Sequence, residues 1–373
     1  NGYRIDPGHT FTNASVLRGT APLPANLKQT LGHPMVITET AWVNPNLYQS
    51  EGPFLMAAYQ SLTGIDIAYW FAFPSKDSPE WDNRATFWPV GNSFATFKWY
   101  GNHPMLAGQF PAFALAYRLG YIAGADGPAV YEERSPEDLW QRRIPIISES
   151  GRFDPNRDAG VFAPESPLRQ ELSRSAFFVG PVISKFNGNA RNNRVVDLEK
   201  CIDDKTGDVR SLTGELVINQ KRGIATINSP KTQGVCGFLR NAGGKFPLGS
   251  TTWESTNDYA ALVAVSLDGK PLADSKRILV QAGTTSRLSG FTVRDTIVKD
   301  DGKEVAGEEI VSNGAPPWLV AKTHALLMLN NPHISKATAL DSNLYPGVTS
   351  PVKRDGDRAT VELPADALYT LLE

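Results

Sequence analysis

The sequence predicts an α/β region followed by an all-β region, and two observations carry that division. Between residues 35 and 73 two short apolar segments flank a stretch with helical spacing. From Pro181 to Glu373 the hydrophobic residues recur instead at period two, in short segments separated by Gly, Asp, Asn and Pro. A chain of 373 residues has room for two or three domains.

The first segment, Met35 to Thr40, reads as a strand. Trp42 to Ser50 is too polar and too Pro-broken to extend it. A helix starts near Ser50 with Pro53 in its first turn, carries Phe54, Leu55, Ala58 and Leu62 at helical spacing, and stops at Gly64. Ile65 to Phe73 is almost wholly apolar, the pattern of a strand covered on both faces in a parallel sheet. The unit is therefore strand, helix, strand, with parallel strands joined right-handedly. Glu39 and Trp70 fall at the carboxyl ends of those strands, where such folds gather their chemistry. A carboxylate beside indole rings suits a sugar: pyranose C–H faces pack on aromatic planes while the carboxylate attacks or stabilises an oxocarbenium-like centre.

The stretch His-Pro-Met-Val-Ile-Thr-Glu-Thr from His33, followed by Tyr-Trp-Phe-Ala-Phe ending at Phe73, resembles the seventh and eighth strands of the retaining glycoside hydrolases built on (β/α)8 barrels. The motif is short and covers only the first part of the chain. By position the resemblance implies that Glu39 is the nucleophile and that Trp70 lines the subsite of the cleaved sugar. Trp42, Asn44, Tyr48 and Trp81, on the loops after the two strands, are the further candidates for substrate binding. In that clan the acid/base is a Glu preceded by Asn at the end of strand four, and no such pair stands upstream of Glu39. The residues before Met35 suffice for a loop and a helix, whereas six strand–helix units need roughly 200 residues. The expectation is thus the C-terminal part of a (β/α)8 barrel over residues 1–122. Its acid/base would come from an upstream barrel segment or a complementary chain, leaving the isolated chain inactive. Asn1 in place of Met agrees with a processed product or a piece of a longer protein.

After Trp70, Asp77 to Pro89 forms a loop whose Trp81 and Trp88 are available to flank a glycan, and Asn92–Tyr100 and Pro104–Tyr121 read as helical. Residues 123–180 read as a connecting α/β region. Pro128–Glu133 and Ile144–Ser148 have strand character, and Ser135 caps a helix that carries Glu137 and Asp138 in its first turn. Asp154 to Glu165 imitates a calcium loop in its oxygen spacing, but Ala159 stands where a left-handed Gly is required, and a surface loop is the reading. Residues 181–373 read as an antiparallel β-sandwich. Its strands are Gly214–Asn219, Ile224–Ser229, Gly234–Leu239, Tyr259–Ser266, Arg277–Gln281, Trp318–Lys322, His324–Leu329 and Ala359–Leu363. Trp253, Tyr259, Phe291, Trp318 and Tyr345 are read as sandwich core before sugar contacts.

Composition removes several functions. The net charge is −2 with no basic stripe, which argues against nucleic acid, and no apolar run approaches the length of a membrane span. CxxC and HExxH are absent and the five histidines are scattered, so no metal site is expected. There is no G-x-S-x-G elbow and no G-x-G-x-x-G fingerprint. Asn241 to Lys245 fails as a phosphate loop because Leu239 replaces the first Gly and Phe246 the Ser or Thr. No cofactor is implied. Cys201 and Cys236 form either one disulfide or two free thiols. Three functions stay open: a retaining glycoside hydrolase acting on a polysaccharide or oligosaccharide outside the cell, in the periplasm or at the cell surface; a non-catalytic carbohydrate-binding or surface-structural protein; and a scaffold in which Glu39 is an ordinary polar strand end.

Overall fold

The computed structural model describes residues 4–73, 96–99, 101–141, 145–149, 172–300 and 302–373. Trp81, Trp88 and the calcium-like segment lie outside the described residues. The first half of the chain contains β1 (Arg4–Ile5), β2 (Thr10–Phe11), β3 (Lys28–Thr30), β4 (Val36–Thr40), α1 (Glu51–Thr63), β5 (Ile67–Trp70), β6 (Thr96–Phe97), α2 (Phe110–Arg118), β7 (Val130–Arg134), α3 (Pro136–Trp140), α4 (Ala176–Val179), β8 (Val182–Phe186) and β9 (Arg194–Val195). Strands then follow one another: β10 (Ile202–Asp203), β11 (Asp208–Arg210), β12 (Leu216–Asn219), β13 (Ile224–Asn228), β14 (Thr232–Gly237), β15 (Lys245–Pro247), β16 (Thr251–Ser255), β17 (Ala260–Ser266) and β18 (Ile278–Gly283). The last are β19 (Ser286–Asp300), β20 (Lys303–Val320), β21 (Ala325–Asn330), β22 (Lys336–Leu340), β23 (Pro346–Pro351), β24 (Lys353–Asp355), β25 (Arg358–Glu362) and β26 (Tyr369–Leu372).

A ten-stranded sheet, in the order β10-β11-β12-β13-β14-β17-β18-β26-β22-β23, forms the middle of the molecule, and its neighbouring strands are antiparallel. A five-stranded sheet, β15-β16-β21-β25-β24, packs on one face, and α1 and α2 pack on the other. Strand β17 shows how the sequence produces three layers. All of Ala-Ala-Leu-Val-Ala-Val-Ser is buried, and successive side chains point to opposite faces. Ala260, Leu262 and Ala264 meet Trp253, Leu327 and Leu329 of the smaller sheet, while Ala261, Val263 and Val265 join the core that holds Phe54, Leu55 and Phe113 of the helices. Gln281 of β18 locks α2 in place: its Oε1 accepts from the Ala112 N–H at 3.0 Å and its Nε2 donates to the Gln109 carbonyl at 2.8 Å. The Tyr369 hydroxyl adds a hydrogen bond to the Gly108 carbonyl at 2.6 Å.

A second, mixed sheet has the order β3-β8-β7-β9, with β3 and β7 parallel to β8 and β9 antiparallel to β7. The long hairpin β19–β20 pairs with β2 through Thr10 and Phe11. The expected helix at Ser135 is present as α3 and carries a complete capping box: Ser135 Oγ accepts from the Asp138 N–H at 3.1 Å, and Asp138 Oδ2 accepts from the Ser135 N–H at 2.9 Å. Residues 145–149 are irregular where a strand was expected, and Thr96–Phe97 lie in β6 rather than in a helix. Cys201 and Cys236 are both free thiols.

The (β/α)8 expectation is overturned. The protein is mostly β, with 41% strand against 14% helix, its large sheets are antiparallel, and among the described residues no part of a barrel is evident. The strand–helix–strand unit itself forms, with β4 parallel to β5 and α1 between them, but among the described residues these strands make a two-stranded sheet of their own. Two physical facts separate this unit from a barrel. First, a barrel helix shows one face to solvent, whereas α1 is buried along nearly its whole length because it lies against β14 and β17 of the ten-stranded sheet. Second, the apolar run of β5 is not covered on both faces: Ile67 is 42% exposed and Tyr69 58%. The barrel reading of this region is therefore corrected: its described residues form a small α/β unit packed on an antiparallel sheet.

Candidate functional site

The carboxyl ends of β4 and β5 are held in register by the pairing of Thr40 with Trp70 and by a hydrogen bond from the Phe71 N–H to the Thr40 carbonyl at 2.8 Å. Glu39 stands beside that pair with its side chain exposed. Trp70 is half-buried and packs on Trp42, with ring centroids 5.7 Å apart and planes tilted by 33°. Its other neighbour is Phe110, at 5.1 Å, which in turn contacts Phe73 at 5.4 Å. The result is an aromatic wall running from the loop after β4 to the first turn of α2.

Local sequence explains the wall. Gly52, in the first turn of α1, lets the Trp42 indole lie on the helix; a Cβ there would sit 2.7 Å from the ring. The indole N–H points at Glu51 Oε1, 3.4 Å away. Gln49 ties the loop together by donating to the Trp42 carbonyl at 2.9 Å and to Asn44 Oδ1 at 3.0 Å. Asn44 is buried, with its N–H on the Lys98 carbonyl at 2.6 Å, so it shapes the loop from inside. Tyr48, at the far end of the same loop, is directed elsewhere: its ring packs on Phe238 at 4.8 Å and Tyr259 at 4.9 Å. Of the six residues singled out from the sequence, Trp42 and Trp70 pack on each other, Trp42 buried and Trp70 half-buried, while Glu39 is exposed at the adjoining strand end. Asn44 is buried in the same loop, Tyr48 lines a second cleft and Trp81 lies outside the described residues.

Glu51 is the residue that sequence reading missed. A Glu in the first turn of a helix looks like an ordinary dipole partner. Here it is fully buried: Oε2 accepts from Ser15 Oγ at 2.6 Å and Oε1 from the Val16 N–H at 2.8 Å, while its own N–H donates to the Tyr259 hydroxyl at 3.0 Å. Burial pushes its carboxyl up to about 7, against the hydrogen bonds from Ser15, Val16 and Trp42 that pull it down. No local signal marks it, because apart from Trp42 its partners Ser15, Val16 and Tyr259 lie 35 to 208 positions away in sequence.

Chemically, Glu39 is an accessible carboxylate and Glu51 a sequestered one. Asp66 stands at the opposite end of the strand pair, where its Oδ2 accepts from the Met35 N–H at 2.8 Å. Among the described residues no group of three or more His, Cys, Asp and Glu side chains gathers as a metal site. No helix of the described residues is long and apolar enough to cross a membrane. Comparison of the chain with models of protein families, with characterised proteins and with solved structures finds no match.

Proposed function

We propose that this chain carries the nucleophile of a retaining glycoside hydrolase acting on a polysaccharide or oligosaccharide outside the cell, in the periplasm or at the cell surface. The observation that carries the reading is the placement of the exposed Glu39 carboxylate at the end of a strand whose parallel neighbour ends in Trp70. In the proposed reaction Glu39 attacks the anomeric carbon, the bond to the leaving oxygen breaks, and water then releases the sugar from the glycosyl ester. Trp70, backed by Trp42 and Phe110, takes the C–H face of the sugar that is transferred.

Retaining chemistry needs a second carboxyl about 5–5.5 Å from the first, to protonate the leaving oxygen and later activate water. Asp66 is at the wrong end of the strands and Glu51 is enclosed. Asp77, Glu80 and Asp82 lie outside the described residues. We assign the acid/base to a further polypeptide segment or a complementary chain. The open apolar side of the strand pair, with Val36, Ile67 and Tyr69 exposed, supports a covering layer there.

The chain alone should then leave polysaccharide intact yet hydrolyse aryl glycosides whose leaving groups need no protonation. Glu39→Gln should lower that turnover by about a thousandfold or more, since the attacking oxygen is lost. Equal turnover in Glu39→Gln and the parent protein would remove the proposal.

A further inference from the structure

Tyr48 leads to a second cleft, of about 510 Å³, within the range of small-ligand sites. Its floor is a cluster of three rings: Tyr48, Phe238 and Tyr259 contact one another at centroid distances of 4.8, 4.9 and 5.4 Å. Tyr48 is half-buried and gives the cleft its accessible aromatic surface, while Phe238 and Tyr259 are buried behind it. The walls are cationic. Arg18 lies over the Phe238 ring, its guanidinium carbon 3.5 Å from the centroid, and forms no ion pair with a carboxylate among the described residues. Arg240 is fixed by two hydrogen bonds to the Thr256 carbonyl, at 2.9 and 2.8 Å, and by Asp258 at 3.1 Å. Lys322 completes the set, its ammonium 3.8 Å from the exposed Asp366.

Arg18, Arg240 and Lys322 face a single lining carboxylate, Asp258, so the cleft is locally positive in a chain of net charge −2. The accessible Tyr48 ring, with guanidinium and ammonium groups lining the same cleft, suits a ligand ring with an apolar C–H face and a negatively charged substituent. We propose that this cleft binds an acidic saccharide unit, its ring on Tyr48 and its carboxylate or sulfate between Arg18 and Lys322. A guanidinium already stacked on an aromatic ring is pre-oriented for a bidentate contact with either anion. The inference does not rest on Glu39 being a nucleophile, because it concerns binding by a different set of side chains.

Isothermal titration of the whole chain tests it with four probes: tetragalacturonate, its methyl ester, a sulfated galacto-oligosaccharide and the desulfated form of the latter. At least one acidic probe should bind about tenfold or more tightly than its uncharged counterpart, and its affinity should fall with added salt. Preference for tetragalacturonate assigns a carboxylate ligand, and preference for the sulfated probe a sulfate ligand. In the Arg18→Ala/Lys322→Ala variant, with an unchanged melting temperature as the control for folding, that preference should disappear. Tyr48→Leu should weaken acidic and neutral probes alike, as the lost floor requires. Equal affinity for charged and uncharged probes, no binding of any probe, or a preference that survives in the double variant would each overturn the proposal.

Discussion

Replacing Glu51 with Gln should make the protein more stable at neutral and alkaline pH and leave it nearly unchanged in acid. Glu51 is fully buried and its carboxyl is raised by that burial from 4.5 to about 7. A carboxyl raised in the folded state holds its proton there while the unfolded chain has already released it. Stability is therefore highest below the unfolded value and falls as pH rises from about 4.5 to about 7. At about 1.4 kcal/mol per pH unit, that interval corresponds to about 3 kcal/mol. Glutamine removes the titration and keeps the geometry: Oε1 still accepts from Val16 and Trp42, and Nε2 can donate to Ser15 Oγ. Urea unfolding of both proteins at pH 5 and pH 8 measures the difference. The expected result is a variant more stable by roughly 2–3 kcal/mol at pH 8 and within about 1 kcal/mol of the parent at pH 5. A difference independent of pH would refute the reasoning, since it would mean that Glu51 titrates alike in both states.

Other perturbations read other parts of the account. Gly52→Ala places a Cβ 2.7 Å from the Trp42 ring and should cost about 1–3 kcal/mol in unfolding free energy, with a change in near-ultraviolet circular dichroism as the indole moves. Gln281→Leu strands the buried Ala112 N–H and Gln109 carbonyl, so thermal or urea unfolding should show a loss of about 2–4 kcal/mol; a loss near zero would mean that α2 is not held through this side chain. Trp70→Ala removes the centre of the aromatic wall, and should weaken sugar binding by about 1–3 kcal/mol together with a lower melting temperature. A lower melting temperature with unchanged binding would make Trp70 a packing residue only.

The parts of the fold that were legible in sequence are those set by local pattern. Ser50, Pro53 and Gly64 bracket a helix that the structure runs from Glu51 to Thr63, and the short β-branched segments after residue 214 appear as β12, β13, β14, β17, β18, β21 and β25. What sequence pattern could not supply is what each element packs against. An apolar run such as Ile65–Phe73 reads as doubly covered, yet Ile67 and Tyr69 face outward, and nothing within the run distinguishes the two cases. The helix α1 reads as one-sided but is enclosed, because the chain brings β14 and β17 to it from far along the sequence. Of the long hairpin β19–β20 only the end of β20, from Trp318, was read as strand, because the hairpin mixes charged residues and Gly into its strands, and the closing strand β26 was not read at all. The candidate residues divide in the same way. Glu39, Trp42 and Trp70 were singled out because their positions follow from local strand ends, whereas the separation of Tyr48 and the enclosure of Glu51 depend on Ser15, Phe238 and Tyr259.

The most direct test of Glu39 as the nucleophile is covalent trapping. The whole chain is incubated with a panel of 2-deoxy-2-fluoroglycosyl fluorides, whose leaving group needs no acid and whose glycosyl esters turn over slowly, and intact mass followed by peptide mapping locates any adduct. The account expects one sugar added per chain, on the peptide containing Glu39, and no adduct on Glu39→Gln. Labelling of a different carboxylate, or no labelling by any sugar of the panel, would contradict it.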